Sequence, residues 1–152
     1  MRRVRGSAFT EILVSVFIVT LLVLSITALS PMTARMQRQA QQYTRATTMA
    51  QLILEHIRMM DFSRVTAENL LTEPTFIAAG FQVFLIDANR VEILPISAEF
   101  HGYSAIVEIV NLTTNNNISI GLKTITVTVQ WHEAGTGRQR TVRMATTIAS
   151  LR

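Results

Sequence analysis

From Ile12 to Ala34 the chain carries no charged side chain, and Ile12 to Leu29 reads ILVSVFIVTLLVLSITAL. Twenty-three helical residues at about 1.5 Å each extend roughly 35 Å, enough to cross a hydrocarbon layer of about 30 Å with some tilt. The pattern therefore predicts a membrane-spanning helix. Arg2, Arg3 and Arg5 precede it and no acidic residue comes before Glu11. By the positive-inside rule, that arrangement keeps the N-terminus in the cytoplasm and sends the remainder across. Pro31 falls where the lipid span ends, and a proline inside a continuous helix removes a hydrogen bond, so a kink is expected between Ala28 and Pro31. Beyond it Met36, Ala40, Tyr43, Thr47, Ala50, Leu54 and Ile57 recur at alternating spacings of four and three, with Arg35, Arg38, Gln39, Gln42, Arg45 and Glu55 largely elsewhere around the axis. This predicts a second, amphipathic half of the same helix, its stripe laid on a core.

The helical period weakens from Asp61, and Thr66 to Gly80 has the Pro74 and Gly80 punctuation of a connection, with a short helix at Ala67 to Leu71. The pattern then turns to β. Phe81 to Ile86 reads as a strand, Asp87-Ala88-Asn89 as a turn, and Arg90 to Leu94 as its partner. Tyr103 to Val110 is a third strand, and Thr113 to Asn117 is a polar turn. From Leu122 to Trp131, Ile125, Val127, Val129 and Trp131 alternate with Thr124, Thr126, Thr128 and Gln130, the period of a half-buried strand. Ala134 to Gly137 closes a hairpin onto Arg138 to Ala149. The expected fold is α+β: a long N-terminal helix, one face of which covers one face of a small antiparallel sheet. Some ninety residues after the helix are few for an independent core, so helix and sheet need each other.

Composition changes this picture in three ways. The 152 residues are 49% hydrophobic and 16% charged, which leaves room for one domain and excludes a disordered chain. Cysteine is absent, which removes disulfides, thiol nucleophiles and Cys-ligated zinc together. The formal charge of +4 and pI near 10.6 raise nucleic acid or an anionic surface as partners. Arg138, Arg140 and Arg143 lie together in the last strand with Trp131 near, which sketches a phosphate and stacking surface. A solvated sheet edge explains the same residues, and without a long basic stripe it is the favoured reading.

No catalytic chemistry is legible. His56, His101 and His132 show no metal spacing. Gly135-Thr136-Gly137 lacks the setting of a phosphate loop. The sequons at Asn111 and Asn117 are too common a pattern to use. No metal, cofactor or enzymatic activity is expected. A cleaved secretory signal is disfavoured by the length of the apolar run and by Pro31 beside its candidate junctions at Ala28 and Ser30. A plain anchor leaves Glu11 unexplained, since a carboxylate deep in lipid costs a few kcal/mol without a partner.

Arg5-Gly6-Ser7-Ala8-Phe9-Thr10-Glu11-Ile12-Leu13-Val14 resembles the N-terminal motif of type IV prepilins and of the pseudopilins of type II secretion. The resemblance implies a leader at residues 1–6, cut by prepilin peptidase between Gly6 and Ser7, with Glu11 as the fifth residue of the mature chain. It also implies N-methylation at Ser7 and a registration role for Glu11, which would pair with the terminal amine of a neighbouring subunit. Ser7-Ala8-Phe9-Thr10 departs from the commoner Phe start, but the Gly and the Glu spacing both hold. The stretch Tyr43 to Arg58 and the late Thr-Val-Thr-Val-Gln-Trp strand with its basic return are similar to PilV-type minor pilins and related minor pseudopilins.

The organisation implied is a leader (1–6), a transmembrane and filament-core half-helix (7–34), an amphipathic half (35–61) and an extracytoplasmic β-rich head (62–152). The expected function is that of a minor pilin of a type IV pilus. A minor pseudopilin of a type II secretion system and a membrane-tethered periplasmic binding module are the alternatives. The implied partners are prepilin peptidase, other pilin or pseudopilin subunits, the assembly platform and the bacterial inner membrane. The head would be periplasmic, or at the cell surface in the pilus. Loss of Arg2, Arg3 and Arg5 with the leader would leave eleven basic against ten acidic side chains, so most of the positive charge is a topology signal and little reason remains to expect nucleic acid.

Overall fold

The computed structural model describes residues 5–113, 119–133 and 136–150. Arg2 and Arg3 of the expected leader, residues 114–117 of the expected polar turn (with the Asn117 sequon), and Ala134 and Gly135 of the expected hairpin lie outside the described residues. One helix, α1 (Arg5–Met59), runs for 55 residues and continues through Pro31. The chain divides into two compact units, 1–41 and 42–152, so α1 contributes to both.

The first unit consists, among the described residues, of helix alone. Every side chain described between Phe9 and Gln41 is exposed. The large apolar ones from Phe9 to Ile26 are between 48% and 70% accessible.

The second unit is an α+β domain. Residues 42–59 of α1 lead through a 3-10 turn (Phe62–Arg64) to α2 (Ala67–Thr72) and α3 (Pro74–Ala78), then to β1 (Phe81–Asp87), β2 (Arg90–Pro95), β3 (Tyr103–Thr113), β4 (Ser119–His132) and β5 (Gln139–Ala149). Five strands pair antiparallel in sequence order, the simplest connection for consecutive strands. The expected strands are all present and end within a few residues of their expected bounds. Helix α3 was not foreseen, because Pro74 read as a breaker when it occupies the first helical turn, where its missing N–H costs nothing. Thr66 caps α2 by accepting a hydrogen bond from the Asn69 N–H at 3.3 Å.

The alternation in β4 decides which face is buried. Ile125, Val127, Val129 and Trp131 stand opposite Ile109, Val107, Ala105 and Tyr103 on β3, and Val107 and Ala105 stand opposite Val91 and Ile93 on β2. All are buried. On β5 the same rows end in Thr146, Met144, Val142 and Arg140, half-buried as befits an edge. Gly121 interrupts β4 at φ +68°, a backbone region open to glycine, where the β3 pairing slips between Leu112 and Thr113.

The helix covers this face with Ala46, Met49, Ala50, Ile53, Leu54 and Ile57, all buried. That differs from the expected stripe. Ala50, Leu54 and Ile57 belong to it, but Met36 is 55% and Tyr43 43% exposed, while Ala46, Met49 and Ile53 do the packing. The expected stripe began at Met36, which belongs to the first unit and is exposed; the face that packs in the second unit is set by residues from Ala46 onward, with spacings of three and one.

Lys123 shares the inward parity of Ile125 and is itself buried. Its ammonium donates to the carbonyls of Phe62 and Val65 at 2.8 Å each and lies 4.6 Å from the Phe62 ring centroid. The turn that follows α1 is thereby tied to β4. Arg58 near the helix end donates to the Thr146 hydroxyl on β5.

Deleting the centre of the helix face leaves a cavity, so Ile53→Ala is expected to cost about 2–5 kcal/mol, whereas Met36→Ala stays within about 0.5 kcal/mol. Denaturant unfolding of the full chain in detergent, followed by the single buried tryptophan, Trp131, reads both.

Candidate functional site

The N-terminal segment is the place where sequence and structure leave most chemistry unanswered. Gly6 and Ser7 lie in the first described turn of α1. Glycine costs about 1 kcal/mol against alanine in a helix, so the bond between them sits at a weak point of the helical backbone. Glu11 lies on the next turn, exposed. Its backbone carbonyl accepts the Ser15 hydroxyl at 2.8 Å, but no hydrogen bond or ion pair reaches its carboxylate among the described residues.

Past Glu11 the polar groups are turned inward. Thr20, Ser25 and Thr27 donate their hydroxyls to the carbonyls of Val16, Leu21 and Val23 at 2.7–2.8 Å, each four residues back. With Ser15, these are all the hydroxyl side chains between Ile12 and Thr27. A hydroxyl satisfied within its own helix can enter hydrocarbon without the penalty of an unmade bond. The helix contains a window of mean hydropathy 2.8 with none of it buried, and is long and apolar enough to cross a membrane. Glu11 is the one ionisable side chain at the entrance to that window.

The basic C-terminal strand does not make the surface sketched from the sequence. Trp131 is 3% exposed, wedged edge-on against Tyr43 at 5.1 Å between centroids and beside Tyr103 at 5.8 Å. It cannot stack a base. Its Nε1 has no acceptor, and the ring is held by aromatic contact instead. Arg140, on the inward rows of β5, gives Nε and a terminal nitrogen to the Glu133 carboxylate at 3.3 and 3.2 Å. The Thr136 hydroxyl bonds the same oxygen at 3.0 Å. Glu133 is 6% exposed, so Arg140 is occupied as the counter-ion of a buried carboxylate, which removal would leave uncompensated. Only Arg138 and Arg143 remain in solvent. The sequence had a signal for this pairing, since Glu133 continues the inward parity of Trp131. A second such pair joins buried Glu73 to Arg64 at 3.2 Å.

The histidines are apart. His56 Nδ1 lies 2.7 Å from the Leu52 carbonyl and its ring is tilted against Phe76, while His101 and His132 are exposed. Among the described residues no three His, Asp or Glu side chains gather as a metal requires. The pairing of β2 with β3 extends only from Arg90 to Ile93. Near this limit an open notch of about 290 Å³ is lined by Glu92, Leu94, Ser104, Gln130, His132 and Gln139. The two amides bond each other at 2.6 Å, but no hydrogen bond links Ser104, His132 and Glu92 into a nucleophile and base.

Two groups in the head have shifted acidity. Burial raises the Tyr103 phenol above its ordinary value of 10.0, with the Arg45 charge opposing, and its hydroxyl donates to the Gln42 carbonyl at 3.3 Å. Burial holds the Lys123 ammonium below the ordinary 10.5. Comparison with known proteins finds no family model, no curated protein and no solved structure that matches the chain.

The Tyr103 shift has a measurable consequence. A phenol that holds its proton more tightly when folded stabilises the protein fully below the unfolded value, and the contribution is lost as pH rises above 10.0 through the raised folded value. Lys123 acts oppositely over its own window, because there the unfolded chain binds more protons. The difference in unfolding free energy between wild type and Tyr103→Phe cancels the Lys123 contribution. It is expected to be flat up to about pH 9 and to shrink above pH 10.

Proposed function

We propose that the chain is a minor pilin, a structural and assembly subunit of a type IV pilus, processed after Gly6 and added to the filament through its N-terminal helix. The observation that carries the reading is the Glu11 carboxylate, five residues past Gly6 and without a partner among the described residues, at the head of an apolar run whose described side chains are all exposed. A tether would gain nothing from a carboxylate at the mouth of its apolar run, whereas a subunit among others can use it as a counter-charge.

Cleavage after Gly6 supplies the partner. It creates an α-amine, cationic below about pH 7.7–8.0, at a helix end whose dipole adds about half a positive charge. A neighbouring subunit, staggered along the filament, brings that amine to Glu11. Lipid around the apolar helix is then replaced by other helices, and each charge has a counter-charge. Gly6 also suits a membrane peptidase, since glycine weakens the helix that must unwind locally for cleavage.

A minor pseudopilin of type II secretion uses the same segment in the same way, and the resemblance stated from the sequence covers both. The membrane-tethered module is the reading that differs in mechanism. The reaction assigned here has the chain as substrate, with no catalytic residue of its own.

Expression with and without a prepilin peptidase, followed by N-terminal sequencing, tests the first step. Ser7 is the expected first residue with the peptidase and Met1 without it; a Met1 start in both overturns the reading. Glu11→Ala tests the second. Incorporation into sheared filaments is expected to fall at least tenfold while membrane insertion and peptidase cleavage persist. Undiminished incorporation removes the registration role of Glu11.

A further inference from the structure

Between Glu11 and Glu55 the chain contains no acidic residue, and its charges there are all arginine. Two of them, Arg35 and Arg38, lie on the part of α1 that follows the apolar run, and both are exposed. Spaced by three, they share one side of the helix, with Cβ atoms about 5–6 Å apart. Neither makes a hydrogen bond or ion pair with any described residue. Around them stand Gln37 and Gln41, exposed and uncharged. The nearest carboxylates along the chain are Glu11 and Glu55, more than a dozen residues away in either direction.

The depth of this pair follows from the span. If Glu11 marks one edge of the hydrocarbon, Arg35 is 24 residues on, about 36 Å along the axis, or about 34 Å at a tilt of about 20°. A core of about 30 Å then ends about 4 Å short of Arg35 and about 8 Å short of Arg38, within or just above a headgroup layer of about 5–7 Å. Helical side chains lean toward the helix N-terminus. On the far side of the span that direction is back toward the lipid, so both guanidinium groups are carried down to the phosphates. A guanidinium binds phosphate oxygens in pairs and sheds water more readily than an ammonium.

We propose that Arg35 and Arg38 form a headgroup site for anionic phospholipid on the leaflet where α1 leaves the membrane. The inference rests on the reading that the apolar run spans a bilayer, and it adds a lipid partner to that reading. Its occupant is an acidic phospholipid, because the site is cationic, uncompensated and set at phosphate depth. The consequence is a subunit held at a fixed height, with acidic lipid gathered around the helix until it leaves the bilayer.

The test uses the full chain reconstituted into phosphatidylcholine vesicles containing a minority of phosphatidylglycerol. Spin-labelled phosphatidylglycerol and spin-labelled phosphatidylcholine report which lipid is retained against the protein. The expected result is enrichment of phosphatidylglycerol by about fivefold per arginine, reduced at high salt. Arg35→Gln with Arg38→Gln is expected to abolish that part of the enrichment, while Arg138→Gln with Arg143→Gln in the head leaves it unchanged. Equal retention of the two lipids by wild type overturns the site, as does enrichment that survives loss of both arginines. Salt-sensitive self-association lost in the double variant, without lipid preference, also overturns it, by showing a second copy as the occupant. Extraction of the wild-type chain from vesicles by alkaline carbonate would instead overturn the spanning reading beneath it.

Discussion

The head depends on a single contact layer, the face of α1 from Ala46 to Ile57 against the inward rows of β2, β3 and β4. A five-stranded sheet with one covered face has no second layer to share the load, and without cysteine the chain has no cross-link to substitute for packing. Each large side chain in that layer contributes about 1.5–3 kcal/mol by leaving water. The same helix, a few turns earlier, presents apolar side chains that are exposed wherever they are described. One continuous element therefore contributes to both units, which divide between Gln41 and Gln42.

The polar groups inside the head are arranged to keep that layer closed. Lys123 reaches from β4 to hold the carbonyls after α1, and Arg58 joins the helix end to β5. Buried Glu73 and Glu133 each carry an arginine drawn from within about ten residues of sequence. None of these devices has the exposure or the grouping of a catalytic centre. Their common effect is to fasten the helix exit and the last hairpin.

Much of the architecture was legible because the physics that sets it is local. The period of two in Ile125 to Trp131 fixed both the strand and its buried face, and the uncharged run marked the part of α1 that is long and apolar enough to cross a membrane. What escaped depends on contacts between distant elements. The helix stripe was right at Ala50, Leu54 and Ile57 but missed Ala46, Met49 and Ile53, because apolar residues on adjoining ridges compete along residues 43–57 and only the packed sheet selects among them. Lys123 and Glu133 obeyed the inward parity of their strand, yet charge argued for solvent, and only the carbonyls of Phe62 and Val65 and the guanidinium of Arg140 make their burial tolerable. Trp131 looked available to a ligand for the same reason: the sequence does not show Tyr43 and Tyr103 closing over it. At the N-terminus the sequence was the richer source, since the reading of Gly6 and Glu11 rests on their spacing and on a resemblance rather than on any contact within the described residues.

The inward-turned hydroxyls of Ser15, Thr20, Ser25 and Thr27 have a geometric effect beyond solubility in lipid. With those groups folded onto their own backbone, the run from Ile12 to Thr27 offers no free hydroxyl at any angle around its axis. A neighbouring helix would find no hydrogen-bonding group there to fix an azimuth, only the differing shapes of apolar side chains.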